Sequence, residues 1–175
     1  PQALAVDAAG TVYVAQENRV YGISPSGGER VVAGNGLTIG GPPNGLATSV
    51  SLLNPIALAV DKNGNLFIAE SFIRDGIRKV TPDGRISVAP GTAGLITNPR
   101  GLAVDGDGNL YVAEGVFPFQ IVKFTPDGGY ITLAQAPAGG GSSAYGLSQT
   151  NGIAIDAAGN LYAVDTGSSR VTKIA

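Results

Sequence analysis

The chain has 175 residues, 43% hydrophobic and 14% charged, enough for one domain with a sizeable buried core. Eleven basic residues against thirteen acidic ones give a net charge of -2, so it lacks the positive excess that draws a protein to nucleic acid, and no apolar run is long enough for membrane insertion. With no His and no Cys, triad catalysis of the Ser-His-Asp or Cys-His kind, disulfides and thiolate metal sites are excluded, while 27 Gly and 11 Pro break the chain into short pieces and argue against long helices.

The first predicted element, in QALAVDAAGTVYVAQ, returns as IALAVDKNGNLFIAE, RGLAVDGDGNLYVAE and NGIAIDAAGNLYAVD, in register on Asp7, Asp61, Asp105 and Asp156. Spacings of 54, 44 and 51 residues describe a core of about forty residues with connections of variable length, a period shared by propeller blades and some helical arrays. The pattern inside the units excludes the helical choice. Leu102 and Val104 alternate with Ala103 and Asp105, and Leu110 and Val112 alternate with Tyr111 and Ala113, the period of two of a pleated strand.

The links AAG, KNG, GDG and AAG place Gly10, Gly64, Gly108 and Gly159 where a tight turn demands positive φ, which makes each pair of strands a hairpin. The aspartate before each turn can accept backbone N-H bonds there. A third apolar stretch follows at 20–23, 77–80, 121–124 and 171–174, and after SPSGG or TPDG a fourth at 31–33, 86–89 and 131–134. The expected fold class is all-β, a β-propeller of four-stranded antiparallel blades at about 1–53, 54–97, 98–149 and 150–175, the last lacking its outer strand.

At these residues the chain resembles the NHL-repeat family. NPRGLAVDGDGNLYVAE followed by IVKFTPDG is similar to that family's repeat, and GGPPNGLATSVSLLNPIALAVD resembles the inter-blade linker of many bacterial members. The resemblance covers all 175 residues. It implies a propeller of six blades, so the four here are expected to be an incomplete part, completed by missing blades or by self-association, because an unpaired strand edge invites pairing. A small closed ring of four blades is the alternative. A chain that begins at Pro1 and contains no Met is expected to be a processed product or an excised piece.

Connection lengths separate the two ends of the blades. Links between first and second strands, and between third and fourth, are tight turns on one side. The other side carries irregular connections at 71–75, 115–119, 34–54 and 135–150, and variable loops on a rigid scaffold are where binding resides. An apolar loop there, with Phe72, Phe117 and Phe119, can form a partner-binding patch or fold back over its own blade. The same side receives Gln2, Ile56, Arg100 and Asn151 at the start of the first strands, and Gln16, Glu70, Glu114 and Asp165 at the end of the second.

Glu70, Arg100, Glu114, Asn151 and Asp165 are therefore the candidate ligand-binding set at the channel mouth. Oxygen ligands of this kind suit a divalent cation such as Ca²⁺, and an Arg among carboxylates can orient an anionic or hydroxylated ligand. Alternatively the acids are ordinary strand-end residues and Arg100 pairs with Glu70 or Glu114. No catalytic residue, metal ligand or cofactor is assigned.

The resemblance implies a non-enzymatic binding or sensor module for a protein, peptide or glycan, extracytoplasmic or secreted. The other class is a metal-dependent lactonase-like hydrolase resembling the gluconolactonase propellers, whose cation-binding Asn-Gly and following acid are matched by Asn151-Gly152 and Asp165. That family's first acid has no counterpart here. Streptogramin-lyase and amidating-lyase propellers rely on histidines, which this chain lacks.

Overall fold

The computed structural model describes residues 1–38, 42, 44–71, 76–115, 119–135, 147 and 150–174. Blade one is a sheet in simple meander order, β1 (Ala3–Val6), β2 (Val12–Gln16), β3 (Arg19–Ile23) and β4 (Glu29–Ala33). The chain then forms a short β5 (Gly45–Leu46) before blade two, β6 (Pro55–Val60), β7 (Leu66–Glu70), β8 (Arg78–Val80) and β9 (Arg85–Val88). Blade three is β10 (Pro99–Val104), β11 (Leu110–Glu114), β12 (Gln120–Phe124) and β13 (Tyr130–Gln135), and blade four is β14 (Thr150–Ile155), β15 (Leu161–Asp165) and β16 (Arg170–Ile174). Every pairing is antiparallel. Two three-residue 3₁₀ turns, Ala47–Ser49 and Thr166–Ser168, are the only helical segments among the described residues.

The first strands stand side by side, β1 against β6, β6 against β10 and β10 against β14. The protein is thus an all-β propeller arrangement of four antiparallel blades, as the repeat predicts. Alternation along each strand gives a blade two different faces. Leu58, Leu66 and Ile68 of blade two pack toward blade one, whose Ala3, Ala5, Tyr13 and Ala15 meet them. Small residues opposite branched ones let two twisted sheets approach closely, as the packed interior requires. The same arrangement repeats between blades two and three, where Ala57, Ala59 and Phe67 meet Leu102, Leu110 and Val112, and between blades three and four. Each fully buried Leu or Ile side chain contributes about 2 kcal/mol to this packing.

Two features are absent from the repeat pattern. The long connection after β4 does not stay on the loop side: Gly45 and Leu46 pair with Ile86 and Arg85, so β5 becomes a fifth strand on the outer edge of blade two. In addition, each inter-blade connection sets an apolar side chain into the core at a fixed distance before the next first strand. Leu52, Ile96 and Leu147 are each no more than 1% exposed, and each stands three residues before the first residue of β6, β10 or β14.

The turn aspartates are locked into their hairpins. Asp105 Oδ1 accepts the N-H groups of Asp107 at 3.0 Å and Asn109 at 2.9 Å, while Oδ2 accepts Asn109 Nδ2 at 2.8 Å and Tyr111 Oη at 3.0 Å. Asp7 and Asp156 repeat the scheme with Tyr13 and Tyr162. For Asp105, burial pushes the carboxyl up, but the bonds from Asn109, Tyr111 and Asp107 outweigh it and hold the group below its ordinary value. Asp7 is lowered in the same balance, and Asp156 by the Asn160 side chain first.

A carboxylate whose folded pKa lies below its unfolded value contributes stability above the unfolded pKa and loses it as pH falls through the folded one. Resistance to urea should therefore hold from neutral pH to about pH 4 and decline below it. In Asp105→Asn that acid-side decline should be shallower, as urea midpoints measured against pH would show.

Candidate binding face

The loop-side end of the blades is built around a β-bulge that recurs in three of them. The pairing of first and second strands slips between Pro55 and Ala57, between Pro99 and Gly101, and between Thr150 and Gly152. Ile56, Arg100 and Asn151 are the extra residues. A bulge re-aims the side chain it carries, and here it turns Arg100 and Asn151 out to solvent while their neighbours Pro99 and Thr150 are buried. The two exposed residues also share one locality, because a Cβ on Gly101 would stand 2.9 Å from Ile153 N and 3.0 Å from Gly152 Cα. Only glycine at 101 lets β10 and β14 come so close.

Arg100 lies across Gly115, where a Cβ would meet its Cγ at 2.3 Å, so the lack of a side chain there makes room for the arginine stem. Among the described residues Arg100 makes no ion pair, with Glu70, Glu114 or any other acid. Asn151 donates through Nδ2 to Thr166 Oγ1 at 2.9 Å.

The acids at this end face the opposite way. Glu70, Glu114 and Asp165 pair across the sheet with Pro55, Pro99 and Thr150 and are 2%, 3% and 0% exposed. Glu114 accepts the N-H groups of Thr97 at 2.7 Å and Asn98 at 3.2 Å, the Thr97 hydroxyl at 3.1 Å, and the amide of Gln120. Glu70 accepts the Leu53 N-H at 3.2 Å and pairs with the buried Arg78 through Nε at 3.3 Å. Asp165 faces Arg170 Nε at 3.7 Å.

In blades two and three the acid therefore fastens the connection directly behind the apolar plug, since Leu53 follows Leu52 and Thr97 follows Ile96. A buried carboxylate needs such partners, and the incoming backbone supplies donors that would otherwise lie unbonded. These plugs and their backbone donors are the residues that the repeat alignment missed. The readable signal was an apolar residue at fixed distance ahead of each first strand.

Phe119 is partly buried, while Phe72 and Phe117 lie outside the described residues. Among the described residues no three acids are grouped so that they could hold a metal ion, and no helix is long and apolar enough to cross a membrane. A cleft lies elsewhere, on the tight-turn side between blades two and three. It encloses about 220 Å³ between Asp61, Phe67, Lys79, Asp107 and Phe124, with Lys79 Nζ 5.8 Å above the Phe67 ring.

No family model matches the chain, and no curated protein does. Solved structures share its fold. A protein of unknown function from Bacteroides thetaiotaomicron superposes with a TM-score of 0.71 at 20% identity, over 98% of this chain and 46% of that one. An auxiliary nutrient binding protein from the same organism matches with a TM-score of 0.66 at 14% identity, covering 99% and 47%. A putative gluconolactonase matches with a TM-score of 0.64 at 15% identity, covering 95% and 55%. The chain thus spans about half the length of these structures, and what they share with it is the propeller fold.

Proposed function

We propose that the chain is a non-enzymatic binding or scaffold module of NHL-like, extracytoplasmic type, and that its loop face takes a protein, peptide or glycan bearing anionic or hydroxylated groups. The observation that carries this reading is the division of labour at the bulges. Arg100 and Asn151 are exposed donors, whereas Glu70, Glu114 and Asp165 are buried, the first two bonded to the incoming backbone and the third beside Arg170. A guanidinium and an amide in solvent can orient carboxylate or hydroxyl groups, and general-base chemistry needs a carboxylate within reach of the substrate. The likeness to a nutrient binding protein is consistent with a binding role at the level of the fold.

The hydrolase reading requires one cation to be shared by Asn151 and Asp165. Asn151 is exposed and bonded to Thr166, and Asp165 is wholly buried with the Arg170 guanidinium beside it, an arrangement that favours binding over metal-assisted turnover. Screening acidic oligosaccharides and peptides by array, then titrating the hits, tests the proposal. Arg100→Ala should weaken binding at least about tenfold without changing thermal stability, with Arg100→Lys intermediate because it keeps charge but loses the planar fork. Metal-dependent lactone hydrolysis abolished by Asn151→Ala would overturn the reading. So would a ligand whose affinity is indifferent to both Arg100 and Asn151.

A further inference from the structure

All the walls of the tight-turn cleft belong to blades two and three, each of which packs against a described blade on both sides. Its chemistry follows from one departure from the repeat. In the other three blades the second strand carries a tyrosine whose hydroxyl donates to the turn aspartate, Tyr13 to Asp7 at 3.2 Å, Tyr111 to Asp105 at 3.0 Å and Tyr162 to Asp156 at 3.1 Å. Blade three adds a lysine from its third strand. Lys123 Nζ stands 3.8 Å from the same Asp105 Oδ2 that takes the Tyr111 hydroxyl, and 5.3 Å from the Tyr111 ring centre.

Blade two keeps the acid and the lysine and drops the hydroxyl. The row Ala59, Phe67 and Lys79 matches Ala103, Tyr111 and Lys123 in register, so Phe67 stands where the tyrosine would. Among the described residues Asp61 Oδ2 accepts only Asn65 Nδ2, at 2.7 Å, and Lys79 makes no ion pair. Asp61, Phe67 and Lys79 all line the cleft, so the place that a tyrosine oxygen fills elsewhere opens into its space.

We propose that this cleft binds a neutral sugar residue, one of whose hydroxyls takes the place of the tyrosine oxygen, donating to Asp61 and accepting from Lys79. A hydroxyl both donates and accepts, which suits a position between a carboxylate and an ammonium. The volume of about 220 Å³ is below the roughly 300–1,000 Å³ of pockets for drug-sized molecules and admits a single ring. Leu110 and Pro126 offer apolar surface to the C-H face of such a ring, and Asn63 and Asp107 offer exposed polar groups to its remaining hydroxyls. Two carboxylates, Asp61 and Asp107, against one ammonium disfavour an anionic ligand. The cleft lies at the opposite end of the blades from Arg100 and Asn151, so it is a second site, independent of the loop face.

Amide NMR spectra recorded during titration with glucose, galactose, mannose and N-acetylglucosamine test the proposal. At least one of these should shift the amides of Asn63, Asn65 and Asp107 in a saturable way, with a Kd on the order of millimolar for so small a polar ligand. Phe67→Tyr supplies the hydroxyl from the protein itself and should weaken that binding at least about tenfold. Three blades already carry tyrosine at this position, so the variant should keep the circular dichroism of the parent. Lys79→Met keeps an unbranched stem over the ring but loses the donor, and should weaken binding by about the same factor. Four sugars without effect would overturn the proposal, as would shifts that fall around Arg100 and Asn151 instead, or a Phe67→Tyr protein that binds as well as the parent. Glucuronate or phenol binding more tightly than every neutral sugar would overturn it too.

Discussion

Glu70→Ala is expected to lower the free energy of unfolding by about 4 kcal/mol, read from urea denaturation at neutral pH. The carboxylate is 2% exposed, and the Arg78 guanidinium that it faces at 3.3 Å is also buried. Truncation removes the compensating charge and also the acceptor of the Leu53 N-H, so two costs fall on one residue. Replacing both Glu70 and Arg78 by Met should recover most of the loss, because a buried ion pair can be exchanged for apolar groups of similar volume far more cheaply than it can be halved. A Glu70→Ala protein as stable as the parent, but unable to bind its ligand, would instead place this carboxylate in the binding site.

Gly91→Ala should cost about 3 kcal/mol, about two thirds of it from a single close approach and the rest from the positive φ. Gly91 has φ +74°, and a Cβ there would stand 2.3 Å from the carbonyl oxygen of Gly128, a backbone atom of the neighbouring blade that cannot swing aside. Gly27 provides the control. It has φ +87° with nothing within 4 Å of a built Cβ, so Gly27→Ala carries only the backbone penalty of about 1 kcal/mol. Equal losses in the two variants would mean that blades two and three do not press together at this point.

The strands were legible because period two and glycine turns are local signals, and the four copies in register confirmed one another. The alignment also brought out Glu70, Arg100, Glu114, Asn151 and Asp165 as corresponding positions at one end of the blades. What it could not show is which way each side chain turns. That is decided by the bulge at Arg100 and Asn151, a one-residue slip with no compositional mark, and by the backbone donors of Leu53, Thr97 and Asn98 that draw Glu70 and Glu114 inward. The pairing of Gly45 and Leu46 with blade two was equally hidden. Two residues in a glycine- and proline-rich linker carry no strand pattern, and their partners are about forty positions away.

That extra strand changes the order in which the molecule can come apart. The outer edge of blade two is covered by a segment that belongs, in sequence, to the connection leaving blade one, and the same connection buries Ala47, Val50 and Leu52 in the core between these blades. Blade two cannot shed β9 until that clasp lets go, and releasing the clasp empties part of blade one's own core. The first two blades are therefore bound into one cooperative unit of opening, whereas among the described residues no strand pairs with the outer edge of β13, which can fray by itself. Solvent should reach the amides of β13 through small local fluctuations, and those of β9 only through a concerted loss of half of the described propeller.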